Sequence, residues 1–298
     1  MELKTKSGGS NVRLEVNAGA KGSNAGLRAT PLRRRGVRRN RLLPVLYLWC
    51  ALVFIFLMAP LVIVFPISFS SSAYLQFPPP GWSLQWYAAY INDSTWMDAT
   101  LRSLKIGACT TVLATVLGTM LSFSLVRGKY LGKAVLSQIS VLPLVVPVII
   151  YSIAAYGLFA RWHLIGHWQA IVLAHTVYAL PFVVVILGAA LRTYDINYEH
   201  AAMSLGASRA AAIWKITLPQ ILPSLISAMF LAFISSFDEL VIAMFLGGSN
   251  MTLPKKMFDN IMNEVDPTIA AVSVIQIVLV TGILIVVSKF GAGATPAK

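Results

Sequence analysis

Six long apolar runs, separated by short polar stretches, cover residues 42–69, 101–126, 134–160, 168–191, 221–246 and 268–290 of the chain. Crossing a hydrocarbon core as a helix takes about 20 residues. Each run meets that length, and each is continuously apolar rather than alternating, which disfavours strands. Lipid admits only helices or closed barrels, so the pattern predicts an all-α membrane protein of six transmembrane helices. Composition agrees: 57% of residues are hydrophobic, 12% are charged, and the mean hydropathy is +0.73, which excludes a soluble domain.

The first 41 residues break this pattern. They carry eleven Lys or Arg against two Glu, are rich in Gly, Ser and Asn, and account for +9 of the formal net charge of +13. Such a segment has no core. It is expected to form a disordered basic tail pressed against anionic headgroups, leaving residues 42–298 as the transmembrane domain. A basic arm beside an apolar span marks the cytoplasmic side, which makes a nucleic-acid partner the weaker alternative. At 28 residues the first run far exceeds a signal-peptide core of about 7 to 15, so it is expected to be an uncleaved span.

With the N-terminus inside, the RGKYLGK loop and the segment 192–220 fall in the cytoplasm, as does the C-terminus. Asp93, Asp98, Asp259, Glu264 and Asp266 fall outside with Arg161, Lys255 and Lys256, while Arg102 and Lys105 can snorkel from the outer end of the second run. Residues 82–97, rich in aromatic and turn-forming residues, are expected in an outer interfacial segment.

Little in the chain suggests catalysis. Cys50 and Cys109 lie in apolar runs and cannot build a disulfide framework or a metal motif. Gly128-Lys129 and Gly132-Lys133 lack the remainder of a phosphate-binding loop, so ATP hydrolysis by that route is excluded. His163 and His167 are four residues apart but have no third ligand, and RWHLIGHW reads better as a short outer loop anchored by Trp162 and Trp168. His175, inside the fourth run, calls for an interhelical hydrogen bond or a place in a transport path. No catalytic residue and no metal ligand is assigned.

The segment YEHAAMSLGASRAAAIWKITLPQ stands out between the fourth and fifth runs as an amphipathic island. Helix formers lead to Gly206, Ser208 can cap a second helix, and Leu218-Pro219 is expected to stop that helix. Small Ala201, Ala202 and Gly206 permit close approach by another protein, and Met203, Leu205, Ile213 and Trp214 offer apolar area. A surface linker between spans would serve equally on these grounds.

HAAMSLGA followed by KITLP closely resembles the EAA loop of permease subunits of bacterial binding-protein-dependent ABC importers: Glu-Ala-Ala, three residues, Gly, nine residues, then Ile-x-Leu-Pro. Ala201, Ala202, Gly206, Ile216, Leu218 and Pro219 match it; His200 stands where the family usually has Glu, with Glu199 one position earlier. The resemblance covers roughly the last two hundred residues and implies a coupling helix docked in a groove of a nucleotide-binding subunit, with His200 or Glu199 making the polar contact. The stretch 235–273 is similar to the second permease of spermidine and putrescine importers. That resemblance implies a polyamine or similar cationic amine as substrate, a second permease, two copies of an ATPase that bind ATP and Mg, and a periplasmic binding protein. Related permeases handle ferric iron, opines, sulfate or thiamine. A membrane-embedded enzyme or an ATP-independent carrier are the readings from other classes.

Asp238 and Glu239 lie about seventeen residues into the fifth run. Carboxylates there are expected to face a partner or a water-filled cavity, or to cap a broken helix. Lining the path, they would suit a polycation, with Phe237, Tyr151 and Tyr156 available for cation–π contact.

Overall fold

The computed structural model describes residues 43–263 and 266–292; the basic segment 1–41 lies outside them. Two units are separated between Leu57 and Met58. In the first, the described residues form the N-terminal part of α1 (Leu43–Ser68), apolar throughout. The remainder of the described chain belongs to the second unit, which holds both candidate sites.

After α1 the chain turns back on itself, with Ser71 N–H donating to Gly81 O (3.0 Å) and Ser83 N–H to Phe69 O (2.7 Å). A short helix α2 (Gln85–Asn92) follows, then α3 (Ser94–Arg127), which begins seven residues before the second apolar run because Asp93 caps it, accepting from Thr95 N–H at 2.7 Å. The outer segment expected over 82–97 is therefore partly helical and runs directly into α3. At 34 residues α3 is about 51 Å long, against roughly 30 Å of hydrocarbon, and so is longer than a straight crossing requires.

The third run does not form a straight span. It divides into α4 (Lys133–Val141) and α5 (Val148–Arg161), bent by 104° across Pro143 and Pro147. Proline lacks the N–H that a continuing helix needs and pushes the preceding residue out of helical geometry.

Next come α6 (Trp168–Thr193), α7 (Asn197–Ser204) and α8 (Arg209–Ala212), the last leading through a π-turn (Ile213–Thr217) into α9 (Leu218–Phe237). Leu218-Pro219 does not stop this helix, contrary to the sequence expectation: residues 209–237 run as one apolar element. Pro219 sits in the first turn of α9, and the wider π-turn before it alters the bonding register where proline leaves a donor missing. The fifth run is also broken, α9 ending at Phe237 and α10 (Val241–Leu246) resuming after three residues. The amphipathic helix α11 (Leu253–Asn263) and the span α12 (Thr268–Ala292) complete the order.

The centre of the bundle is α6 packed between α3 and α9. It buries Ala179, Val183 and Leu187 against Ala114 of α3 and Ala228 and Ala232 of α9, and Ala170 and Ala174 in a second cluster with Ile106 of α3 and Ile242 and Leu246 of α10. Apolar burial adds little in lipid, where association depends on close packing, and small residues provide it. A Cβ on Gly118 would stand 2.6 Å from Val183 Cγ1, so α3 and α6 approach as they do because that position has no side chain.

Candidate functional site

Two sites emerge, one at the end of the bundle that carries the island, the other where the fifth run breaks.

At the first, α7 ends in a Schellman arrangement: Gly206 N–H donates to Met203 O (3.0 Å) and Ala207 N–H to Ala202 O (3.1 Å), with Gly206 at φ +92°. Ser208 caps α8, accepting from Ala211 N–H at 3.2 Å. The helix, turn, helix expected from sequence is thus present, and its turn uses the conformation that favours glycine.

Glu199 and His200 are neighbours about 100° apart on α7 and face different surroundings. Glu199 is buried, and its carboxylate accepts from Arg127 Nη1 at the end of α3 (2.5 Å to Oε1, 2.7 Å to Oε2) and from the hydroxyl of buried Thr217 in the π-turn. The Arg127 guanidinium lies 4.9 Å from the Phe123 ring and 5.6 Å from that of Tyr194. The Glu199 carboxylate is thus engaged within the chain, where it fastens α7 to α3. His200 is exposed and borders a cavity of about 520 Å³ with Arg127, Tyr194, Met203 and Arg209.

Ala201, Gly206 and Pro219 are also exposed, while Ala202, Ile216 and Leu218 are placed as follows: Ala202 and Ile216 are half-buried, and Leu218 lies half-buried at the start of α9. Leu205 and Trp214 stand out at 90% and 70% exposure, Met203 and Ile213 being half-buried. Sequence reasoning missed Arg127 and Thr217. Arg127 read as a topology marker, and its pairing across 72 positions leaves no local pattern.

At the second site the adjacent acids part company. Glu239 is buried and closes the start of α10: Oε1 accepts from Val241 N–H (3.0 Å) and Oε2 from Ile242 N–H (2.7 Å) and Ala243 N–H (3.4 Å). These are the donors that a new helix leaves unsatisfied, and its dipole favours the negative charge. His175 of α6 supports the same corner, its Nδ1 hydrogen-bonded to Ser236 Oγ (2.8 Å). Its Nε2 lies 3.4 Å from Glu239 Oε2 without hydrogen-bond geometry.

Asp238 points elsewhere. It is exposed, accepts from Gln276 Nε2 of α12 at 2.5 Å, and lines a cavity of about 300 Å³ with Ser273, Gln276 and Thr281.

The aromatic set expected around the acids is not gathered there. Phe237 is buried and stacks on Phe233 at 5.4 Å in the core. Tyr151 donates its hydroxyl to Ala174 O (2.8 Å) and packs near Tyr178 on the Glu239 side. Tyr156 is exposed on α5 and does not line the Asp238 cavity. A helix places side chains by angle, so nearness in sequence to Asp238 does not bring Phe237 to the same face. Gln276 gave no sequence signal beyond being a polar residue inside an apolar run.

Comparison with known proteins fits this geometry. The family described as "Binding-protein-dependent transport system inner membrane component" matches residues 114–294. The putrescine transport system permease protein PotI of Escherichia coli is 38% identical over 229 residues, covering 74% of this chain and 81% of that protein. The spermidine/putrescine transport system permease protein PotC of Haemophilus influenzae is 31% identical over 229 residues, covering 76% and 88%. The fold matches a chain in the crystal structure of a bacterial ABC transporter involved in the import of the acidic polysaccharide alginate, with TM-score 0.65, 17% identity, and 88% of this chain and 99% of that chain covered. The architecture is that of an ABC importer permease. The chain belongs to the family of binding-protein-dependent transport system inner membrane components, and is a transport subunit rather than an enzyme.

Proposed function

We propose that this chain, with a second permease, forms the path by which an ATP-driven importer moves polyamines or a similar cationic amine across the bacterial inner membrane. The observation that carries the substrate class is the 38% identity to a putrescine permease along 74% of the chain. The chemistry of the fifth run supports it. A carboxylate facing lipid costs about 2.5–3.5 kcal/mol, so exposed Asp238 belongs in a water-filled cavity or against a partner, where its charge suits an ammonium group. Glu239, occupied by α10, serves the break itself.

Two copies of an ATPase, which bind ATP and Mg, complete the importer, one of them docking on the exposed face of α7 and α8 through His200, Ala201, Leu205 and Trp214. Large exposed apolar side chains beside small residues suit a helix laid into a groove. Both termini are cytoplasmic in this reading, the basic segment 1–41 lies at anionic headgroups, and α2 and α11 face a periplasmic binding protein.

The test is uptake by vesicles containing the two permeases and the ATPase, with loaded binding protein outside. Labelled putrescine or spermidine should accumulate only with internal ATP. Accumulation of sulfate, ferric iron, thiamine or an opine in place of the amine overturns the substrate class, and uptake without the ATPase subunit overturns the importer reading.

A further inference from the structure

We infer that the cavity beside Asp238 is an ammonium subsite of the translocation path, and that Gln276 sets its selectivity between amines of different charge. This rests on the transport reading and names residues of α12 which that reading does not use. The cavity, about 300 Å³, is lined by Asp238, Ser273, Gln276, Ile277, Val280 and Thr281. The last five recur at spacings of three and four and so share one face of α12. An apolar wall beside a few converging polar groups is the usual form of a small-molecule site.

The hydrogen bonding already present decides which ligand fits. Gln276 spends an amide N–H on Asp238 Oδ1, which leaves its own carbonyl oxygen as an acceptor. Ser273 spends its hydroxyl proton on Ile269 O (2.8 Å), leaving oxygen lone pairs. Asp238 Oδ2 accepts no hydrogen bond among the described residues. No Lys or Arg lines the cavity among the described residues. Asp238 and the free oxygens of Gln276 and Ser273 therefore offer negative charge and acceptors to a three-donor ammonium, whereas an oxyanion would face the carboxylate with only the Thr281 hydroxyl and the second Gln276 N–H as donors. Glu239 cannot substitute, since its carboxylate is held by the first amides of α10.

Gln276 adjoins the charge that a cation must meet, so changing its charge should alter the relative handling of a diamine and a triamine. The experiment uses the full complex in vesicles with saturating loaded binding protein, comparing turnover of labelled putrescine and spermidine in Gln276→Leu, Gln276→Glu and Asp238→Asn. Losing a hydrogen bond to a charged group is a loss of about tenfold, so Gln276→Leu should lower turnover of both amines by roughly that factor while ATP hydrolysis stimulated by loaded binding protein persists. Gln276→Glu should shift the spermidine-to-putrescine ratio toward the more highly charged amine, a change that a purely structural role would not produce. An unchanged ratio and unchanged turnover in both Gln276 variants, with Asp238→Asn inactive, overturns this inference and leaves the transport reading standing. Amine uptake absent from the unsubstituted complex overturns that reading instead. Loss of the second permease from purified Gln276→Leu complexes would show a subunit contact in place of a subsite, and also overturns the inference.

Discussion

Replacing Glu199 by alanine should release α7 from the membrane domain while leaving the bundle folded. The Glu199 and Arg127 side chains are 4% and 10% exposed, so the weak energetics of surface ion pairs do not apply. Removing one partner of a buried pair costs about 3–5 kcal/mol, because the other charge is left uncompensated. Arg127 Nη2 already lacks a hydrogen-bond partner among the described residues, and the substitution strips Nη1 as well. The Phe123 and Tyr194 rings offset part of this, at about 0.5–2 kcal/mol, which favours the lower end of the range. A loss near 3 kcal/mol corresponds to roughly a hundredfold fall in the docked population of α7. The change falls on α7 because it is eight residues long and is followed by the Gly206 turn. Hydrogen exchange of the assembled complex should show residues 197–207 losing protection by about that factor, with α3 and α6 unchanged. ATP hydrolysis should continue with little amine transported. The pair Arg127→Met with Glu199→Leu should recover most of the protection, since no unpaired charge remains. Unchanged exchange in Glu199→Ala, or a double variant worse than the single, would refute the reasoning.

Gly206 has φ +92° and open space where a Cβ would lie, so Gly206→Ala carries only the left-handed penalty of about 1–2 kcal/mol, whereas Gly206→Leu also places bulk on the docking face. Alanine should reduce and leucine abolish the stimulated ATPase, and equal behaviour of the two would remove the docking role. His175→Phe keeps much of the bulk but leaves buried Ser236 without its partner, a loss of about 1–3 kcal/mol that thermal unfolding of the purified complex should register; a second substitution, Ser236→Ala, should then add less than it does alone. Burial pushes Asp93 upward, but hydrogen bonds from the Thr95 side chain and the Thr95 and Trp96 amides, together with the charge of the Lys256 ammonium, outweigh it, holding the carboxyl below its ordinary value. Its contribution to stability is therefore fully present above the ordinary carboxylate range and is lost as pH falls through the lowered value, so unfolding measured from about pH 7 down to about pH 3 should show an acid loss that Asp93→Ala lacks.

The membrane class and the position of the amphipathic island were legible because each rests on runs of residues. Apolar length sets the spans, and the Gly206 turn with its Ser208 cap has local chemistry that a sequence displays. The departures come from angle and distance. Pro143 and Pro147 were visible as breakers inside the third run, yet mean apolarity smoothed over them. The fifth run breaks without a proline, through Glu239 feeding the amides of α10, a bond set that appears only once α10 exists. Sequence alone leaves open which of Glu199 and His200 makes the polar contact and which way Asp238 and Glu239 face; helical rotation sends one of each pair inward. Arg127, Thr217, Ser236 and Gln276 act through partners 18 to 72 positions away, beyond any local pattern. The amphipathic α11 was read simply as part of an outer loop, though its apolar positions recur at helical spacing.

The most direct measurement is ATP-driven uptake of labelled putrescine by vesicles holding the complete importer, with unsubstituted chain and with Asp238→Asn, at matched ATPase activity stimulated by loaded binding protein. The substitution keeps shape and removes charge at the exposed end of the break. Uptake in the unsubstituted complex, falling at least about tenfold in Asp238→Asn, is the predicted result. Equal uptake by the two complexes would contradict a cationic path past Asp238.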